Sequence, residues 1–338
     1  MMPSTRPGSL FTGEVCQACV NAKAKVDWKA RYKELETFCE AVRPVQPYNC
    51  LIPVSGGKDS HRLVDIMVTE QRMRPLLVTV TDPFIHTRAG QMNLTNLIER
   101  FNLNHWQYHI SDDLFRRATR YAFEILGEPL KFVEYAIYTI PYLLAQVMKI
   151  PLVVFGENSG FLYGSEQTDC WDCGQSVRST QQRLMFDKHW WSACMHEREL
   201  MSIMPLETPS PVTLYMSYFV PWDSVTNYER AKQIGFKDLD DTGEWKRKGT
   251  IEQFEQIDSV AYMFHLWMKY PKFGFQRVTD IASRRVRNGH MKLTEAETLI
   301  KRYDRILDPR AEKDFANFCG YTSTELWRII KKFDRGYL

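Results

Sequence analysis

The side chains best suited to chemistry gather in one short stretch, Ser55-Gly-Gly-Lys-Asp-Ser60. Its two glycines permit backbone conformations, and a close backbone approach to a ligand, that a side chain would forbid. The amides of a tight turn and of a helix N-terminus converge on one spot, which suits an anion. Lys58 adds a fixed positive charge, Ser55 and Ser60 add hydroxyl donors, and Asp59 can cap the helix or help hold a magnesium ion. The ligand predicted for such a cradle is a phosphate chain.

The elements around the cradle must hold it open at one edge of the fold. An apolar run, Leu51 to Val54, precedes it, and Leu63, Ile66 and Met67 follow at helical spacing, so the stretch reads as strand, turn and helix. Apolar, β-rich segments at 49–54, 75–81, 104–110 and 151–156 alternate with helical patterns at 59–73, 87–101, 112–126 and 131–149. That alternation predicts an α/β fold, a parallel twisted sheet with helices on both faces. Ligands of such sheets bind beyond the carboxyl ends of the strands. Three polar strand ends therefore become candidates: the cradle, Thr81-Asp82-Pro83, and Gly156-Glu157-Asn158. Asp82 could meet the ribose of ATP or magnesium, or serve as a turn aspartate ahead of Pro83. Glu157 and Asn158 could position magnesium or a reacting amide, or cap a helix after Gly156.

A further strand-like segment, Thr213–Val220, ends in Pro221-Trp222-Asp223, and the remaining chain reads as mainly helical. Within it, residues 272–289 mix aromatic, basic and acidic side chains. Lys272, Arg277 and Arg287 could meet phosphates there and Asp280 substrate hydroxyls, the alternative being a solvated basic helix. Thr294-Glu-Ala-Glu297 reads as a helix start for the tail. Three regions result: an N-terminal extension over 1–45, a central domain over 46–225, and a helical region over 226–338.

Two Cys-x-x-Cys pairs, Cys16/Cys19 and Cys170/Cys173, can supply the four thiolates of a tetrahedral zinc site pinning the extension onto the core. Buried thiols or one redox-active pair are the alternatives. Cys39, Cys50, Cys194 and Cys319 lack such spacing and read as core. The 338 residues suffice to bury a sizeable core. A net charge of +3 without any long basic block does not argue for a nucleic-acid partner. The sequence has neither an apolar run of membrane-spanning length nor an apolar signal core near its start, so a cytoplasmic protein is expected.

The cradle is no Walker P-loop, which needs Gly-x-x-x-x-Gly-Lys-[Ser/Thr]. It resembles the PP-loop, Ser-Gly-Gly-x-Asp-Ser, of the ATP pyrophosphatases. Five specified residues at roughly 5–7% usage give about one chance match in a million per position. A closer resemblance follows from Met2-Pro-Ser-Thr-Arg-Pro-Gly8, Val15-Cys-x-Ala-Cys19, Asp27-Trp28 and the run Ile52–Ser60. Gly156-Glu-Asn158, Tyr218-Phe-x-Pro-Trp222, Lys272-Phe-Gly-Phe275, Arg277-x-Thr-Asp280, Ser283 and Arg287-x-Gly289 extend it. Over nearly the whole chain the sequence looks like the N-acetyl sugar amidotransferase family of WbpG and PseA type. Family members often carry an additional Cys-x-x-Cys ahead of the Met-Pro run, which this sequence does not show: either the start codon is downstream of that pair, or a zinc site uses only the two remaining pairs.

The resemblance implies an enzyme of bacterial surface-polysaccharide pathways, making lipopolysaccharide O-antigen or flagellin glycan. ATP would adenylate the oxygen of an acetamido group on a nucleotide-linked or free N-acetyl sugar, releasing pyrophosphate. Ammonia would then displace AMP and leave an acetamidine. The loop amides, Lys58 and the serines would stabilise the departing pyrophosphate, with magnesium bridging the phosphates through Asp59 and with Glu157 beside it. No cysteine sits in a Gly-x-Cys-x-Gly elbow, so ammonia is expected from a separate glutaminase subunit, with a cyclase-like barrel assisting. Two rival readings remain: a tRNA-modifying PP-loop enzyme of thiolation type, and a catalytically idle scaffold.

Overall fold

A computed structural model describes residues 3–158, 162, 164, 188–206, 208 and 210–338. The chain opens with a two-stranded antiparallel ribbon, β1 (Phe11–Thr12) and β2 (Val15–Cys16), followed by α1 (Gln17–Ala22) and α2 (Trp28–Val42). Asp27 caps α2 by accepting the Ala30 amide at 3.0 Å.

The centre of the fold is a five-stranded sheet of β3 (Cys50–Pro53), β4 (Pro75–Thr81), β5 (His105–His109), β6 (Leu152–Phe155) and β7 (Val212–Tyr215). The strand order is β5-β4-β3-β6-β7 and every pair is parallel. Leu51 of β3 pairs with Leu76 on one side and Val153 on the other. The chain thus winds outward from β3 through β4 to β5, then returns to the far side of β3 for β6. This reversal opens a crevice between the carboxyl ends of β3 and β6.

Both faces of the sheet are covered, and for that reason β3 and β6 read as unbroken apolar runs. On one face Cys50, Ile52, Leu77, Val154 and Leu214 pack with Leu35 of α2, Leu63 of α3 (Lys58–Asp65) and Leu97 of α4 (Arg88–Phe101). On the other, Leu51, Val78, Val153 and Tyr215 meet Tyr138 and Ala145, which belong to α6 (Lys131–Val147). A separate aromatic-rich core joins Phe115 and Phe123 of α5 (Asp112–Leu126), together with α6, to the C-terminal helices through Phe264, Phe315 and Leu326. No helix among the described residues is long and apolar enough to cross a membrane.

Three expectations change in detail. The helix expected over 59–73 is α-helical only to Asp65, continues as wider π-type turns over Ile66–Glu70, and stops before Arg72, whose φ is +56°. The strand expected over Thr213–Val220 ends at Tyr215, opposite Phe155, where its partner β6 also ends. With no further ladder to join, the chain coils into a helical turn, Met216–Phe219, and the Ser217 amide bonds the Gly156 carbonyl at 2.9 Å. The helix expected to start at Thr294 begins at Leu293, which places Thr294 inside its first turn.

Candidate active site

The Ser55–Ser60 stretch runs from the carboxyl edge of the central strand β3 into the first turn of α3. Gly56 has φ +83°, and a Cβ there would lie 2.8 Å from the Leu94 amide nitrogen of α4, so conformation and space both demand glycine. At Gly57, by contrast, a Cβ would meet only Ser55 Oγ at 3.4 Å. The serines tie the loop to itself: Ser55 Oγ accepts the Gly57 amide at 3.3 Å and Ser60 Oγ accepts the Ser55 amide at 3.2 Å.

Lys58 is buried, with its ammonium 2.6 Å from Asp59 Oδ2 and 3.4 Å from Glu255 Oε1. Burial alone would lower its proton affinity, but Asp59 and Glu255 outweigh that cost and hold it above the ordinary value. Asp59 Oδ1 accepts the Asn227 amide at 2.8 Å, from the Ser224–Gln233 helix packed on α3. Glu157 reaches the same place from the end of β6. Burial, and then the negative charge of Asp59, raise its carboxyl above the usual range. Two carboxylates meeting at one place are a fitting donor set for a divalent cation.

Two cavities meet at this pair, and Asp59 and Glu157 line both. The larger, about 850 Å³, opens beyond β3, β4 and β6 and is lined by Ser55 and Ser60 of the loop, Leu94 of α4 beside it, and Ile137 and Tyr138 of α6. Asp82 closes one end. It is both turn residue and cavity wall, since its Oδ1 accepts the Phe84 amide at 3.0 Å and the Ser259 hydroxyl at 3.2 Å. Asp258 lines the same end, its carboxyl pushed up to about 6 by burial and by Asp82. The smaller cavity, about 280 Å³, lies between α1, Trp28, Trp222 and the Arg277–Arg287 helix. Lys58, Arg284 and Arg287 give it a cationic wall, and Asp223 and Asn288 add polar groups.

The structure therefore brings together Ser55, Gly56, Gly57, Lys58, Asp59, Ser60, Asp82, Glu157 and Arg287 around one crevice. Gly56 and Gly57 shape the loop without lining either cavity, and four further expected residues line neither. Asn158 is buried with its amide on Ser217 Oγ at 2.9 Å. Lys272 donates to the Leu126 carbonyl at 2.9 Å, offsetting the negative end of α5. Arg277 is buried against Glu252 at 3.3 Å and against Glu255, and Asp280 binds Arg6 and Lys269. Their charges meet partners inside the protein, and Asp280 holds the N-terminal extension in place.

Arg284, Glu255, Asp258 and Asn227 escaped the sequence reading. Arg284 lies three residues before Arg287 and seven after Arg277, so helical spacing would have placed it on their face. Nothing local marks Asp258, which lines the larger cavity, or Glu255, which lines neither but touches Lys58; both arrive there only because the chain returns after its C-terminal helices begin.

Cys16 and Cys19 face each other with sulfurs 3.4 Å apart, near enough for two ligands of one metal. Cys170 and Cys173 lie outside the described residues, and among the described residues no group of three or more His, Cys, Asp or Glu is gathered to hold a metal. Cys39, Cys50 and Cys319 are buried free thiols, as expected, and Cys194 is a partly buried one.

Residues 248–338 match the family described as LPS biosynthesis protein WbpG-like, C-terminal domain. None of the curated proteins compared with the chain matches it. Among solved structures, an NMN synthetase from Francisella tularensis is similar at 11% identity over 89% of this chain and 97% of that one, with a TM-score of 0.39. The U34-tRNA thiolase NcsA from Methanococcus maripaludis is similar at 9% identity over 96% and 84%, with a TM-score of 0.34. An NH3-dependent NAD synthetase from Campylobacter jejuni is similar at 15% identity over 52% and 81%, with a TM-score of 0.31.

Proposed function

From a chain whose residues 248–338 form a WbpG-like C-terminal domain behind a PP-loop, we propose an ATP-dependent amidotransferase that turns an acetamido group of an N-acetylated sugar into an acetamidino group. The observation that carries this reading is the junction of two cavities at Asp59 and Glu157. The larger cavity has the volume of a nucleotide site. Its phosphate end is the loop, so ATP seated there would present its α-phosphate at the junction. The smaller cavity has room for one sugar ring, with Trp28 and Trp222 as apolar surfaces and Asp223 and Asn288 as hydroxyl partners.

The chemistry needs positioning and charge stabilisation rather than a protein nucleophile. The acetamido oxygen attacks the α-phosphorus and pyrophosphate leaves. The loop amides, Lys58 and the serine hydroxyls stabilise the charge on the departing group. Ammonia adds to the imidate carbon, the C–O bond to AMP breaks, and a proton lost from nitrogen leaves the amidine. The released proton would pass to solvent through the open cavities, because Asp59 and Glu157 are the carboxylates that the cation would engage. Asp59 and Glu157 would hold a magnesium ion, whose charge offsets that of the phosphates. Cys16 and Cys19, joined by Cys170 and Cys173, would hold a structural zinc. Ammonia would come from a separate glutaminase subunit, with a barrel subunit assisting, in the cytoplasmic assembly of a bacterial surface polysaccharide.

The test is pyrophosphate release from ATP with ammonium chloride and a panel of nucleotide-linked and free acetamido sugars, with mass spectrometry of the sugar. A product in which NH replaces O supports the proposal. Release that depends on tRNA instead would replace it with a tRNA-modifying function.

A further inference from the structure

Glu255 occupies a position that the reaction outlined above does not use. It lies in the WbpG-like segment, far in sequence from the loop, yet its Oε1 is 3.4 Å from the Lys58 ammonium. Its Oε2 accepts Arg284 Nη2 at 2.8 Å and also Arg277, while the Ser224 hydroxyl donates to Oε1. Arg277 is backed in turn by Glu252 at 3.3 Å. Glu252 takes the amides of Phe254 and Glu255 at 2.7 and 2.8 Å, which fixes the backbone on which Glu255 stands.

Of the three cations on Glu255, two line the smaller cavity: Lys58 from the loop after β3 and Arg284 from the Arg277–Arg287 helix. The third, Arg277, is wholly internal. A buried cluster of this kind is poor evidence for stability, because desolvating several charges cancels much of their attraction. It does fix direction. An ammonium on a four-carbon stem has many rotamers, and Asp59, partly exposed and placed toward the cation site, would leave it free to swing when its own charge is engaged elsewhere.

We propose that Glu255 is a positioning residue that aims Lys58 and Arg284 at the junction of the two cavities, so that the C-terminal domain completes the phosphate site of the loop. The inference deepens the amidotransferase reading and rests on its assignment of the loop to phosphate, but not on the identity of the acceptor. Without Glu255 the lysine would remain in the site but would no longer be held toward the phosphates. Its contribution to binding them would then largely vanish, although the residue is still present.

A double-mutant cycle on inorganic pyrophosphate affinity with magnesium, read by calorimetry, tests this without any turnover. The variants are Lys58→Ala, Glu255→Gln and the pair, with Glu255→Asp as the conservative check and melting temperature followed throughout. Lys58→Ala is expected to weaken pyrophosphate binding about tenfold or more in the native background and less than about threefold in Glu255→Gln, with Glu255→Asp restoring part of the difference. Equal cost in both backgrounds would overturn the proposal, because a merely structural Glu255 lowers affinity or melting temperature additively. Loss of binding in Glu255→Gln and Glu255→Asp alike, with a fall in melting temperature, would also overturn it. The amidotransferase reading fails separately, through the absence of an amidinated sugar.

Discussion

The two cavities that share Asp59 and Glu157 differ in how they are built. The larger is walled mainly by the sheet and its crossover helices: the loop after β3, the end of β4, and α4 and α6. The smaller adds both ends of the chain to a central wall that includes Trp222 and Asp223, with α1 and Trp28 from the N-terminal extension and Arg284, Arg287 and Asn288 from the C-terminal helices. One site is thus a property of the α/β fold and the other of what has been added around it. The contrast teaches where each kind of specificity resides. On the proposed function, nucleotide use would belong to the sheet and acceptor choice to the appended segments, with Lys58 and Glu255 spanning the boundary.

The change expected to cut deepest strikes the shared junction. Lys58→Ala should lower the rate of pyrophosphate release about 10²–10³-fold, the scale for losing one preorganised charge-stabilising donor. A fall of less than about tenfold in a steady-state assay would mean that the junction is not where charge develops. Next comes the sheet side alone. Gly56→Ala would force a side chain into a φ of +83° and to within 2.8 Å of Leu94 N, and should cost roughly 1–3 kcal/mol in urea unfolding as well as ATP binding. An alanine variant of native stability would show that the loop has room to shift.

The larger cavity also carries a pH signature. Asp258 ordinarily titrates near 3.8 and is pushed up to about 6 in the fold, so between those values the folded state keeps a proton that the unfolded chain has lost. Stability should therefore fall as pH rises from about 4 to about 6 and level off above, by on the order of 2–3 kcal/mol at most. Asp258→Asn should remove that contribution and be the more stable protein at pH 7; urea titrations at several pH values would expose an unchanged slope. The smallest effect belongs to the added wall. Arg287→Ala should raise the KM for the acceptor about tenfold while leaving the KM for ATP unchanged, since Arg287 lines only the smaller cavity. Equal shifts in both constants would erase the distinction between the sites.

The same contrast explains what could be read from the sequence. The sheet and its loop are local objects: β3, β4, β5 and β6 fall where the apolar runs predict them, and Ser55–Ser60 forms the turn its residues imply. Of the strand expected over Thr213–Val220, only the first part forms β7, because the length of a parallel strand is set by the partner it pairs with, and β6 stops at Phe155. In the Arg277–Arg287 helix the composition pointed to a segment that reaches the smaller cavity, but charge type alone did not separate Arg287, on the cavity, from Arg277 and Asp280, which are neutralised internally. Glu255 and Asp258 were not legible at all, since their roles exist only through a return of the chain that no local pattern encodes.

The most direct test of the central claim follows one oxygen atom. An acetamido sugar carrying 18O in its carbonyl, turned over with ATP and ammonium, should deliver that label to AMP, because the acetamido oxygen becomes the bond to the α-phosphate before ammonia displaces it. AMP carrying the label in step with amidinated sugar is the result expected. Unlabelled AMP, or label in the pyrophosphate, would contradict the meeting of nucleotide and acceptor at Asp59 and Glu157.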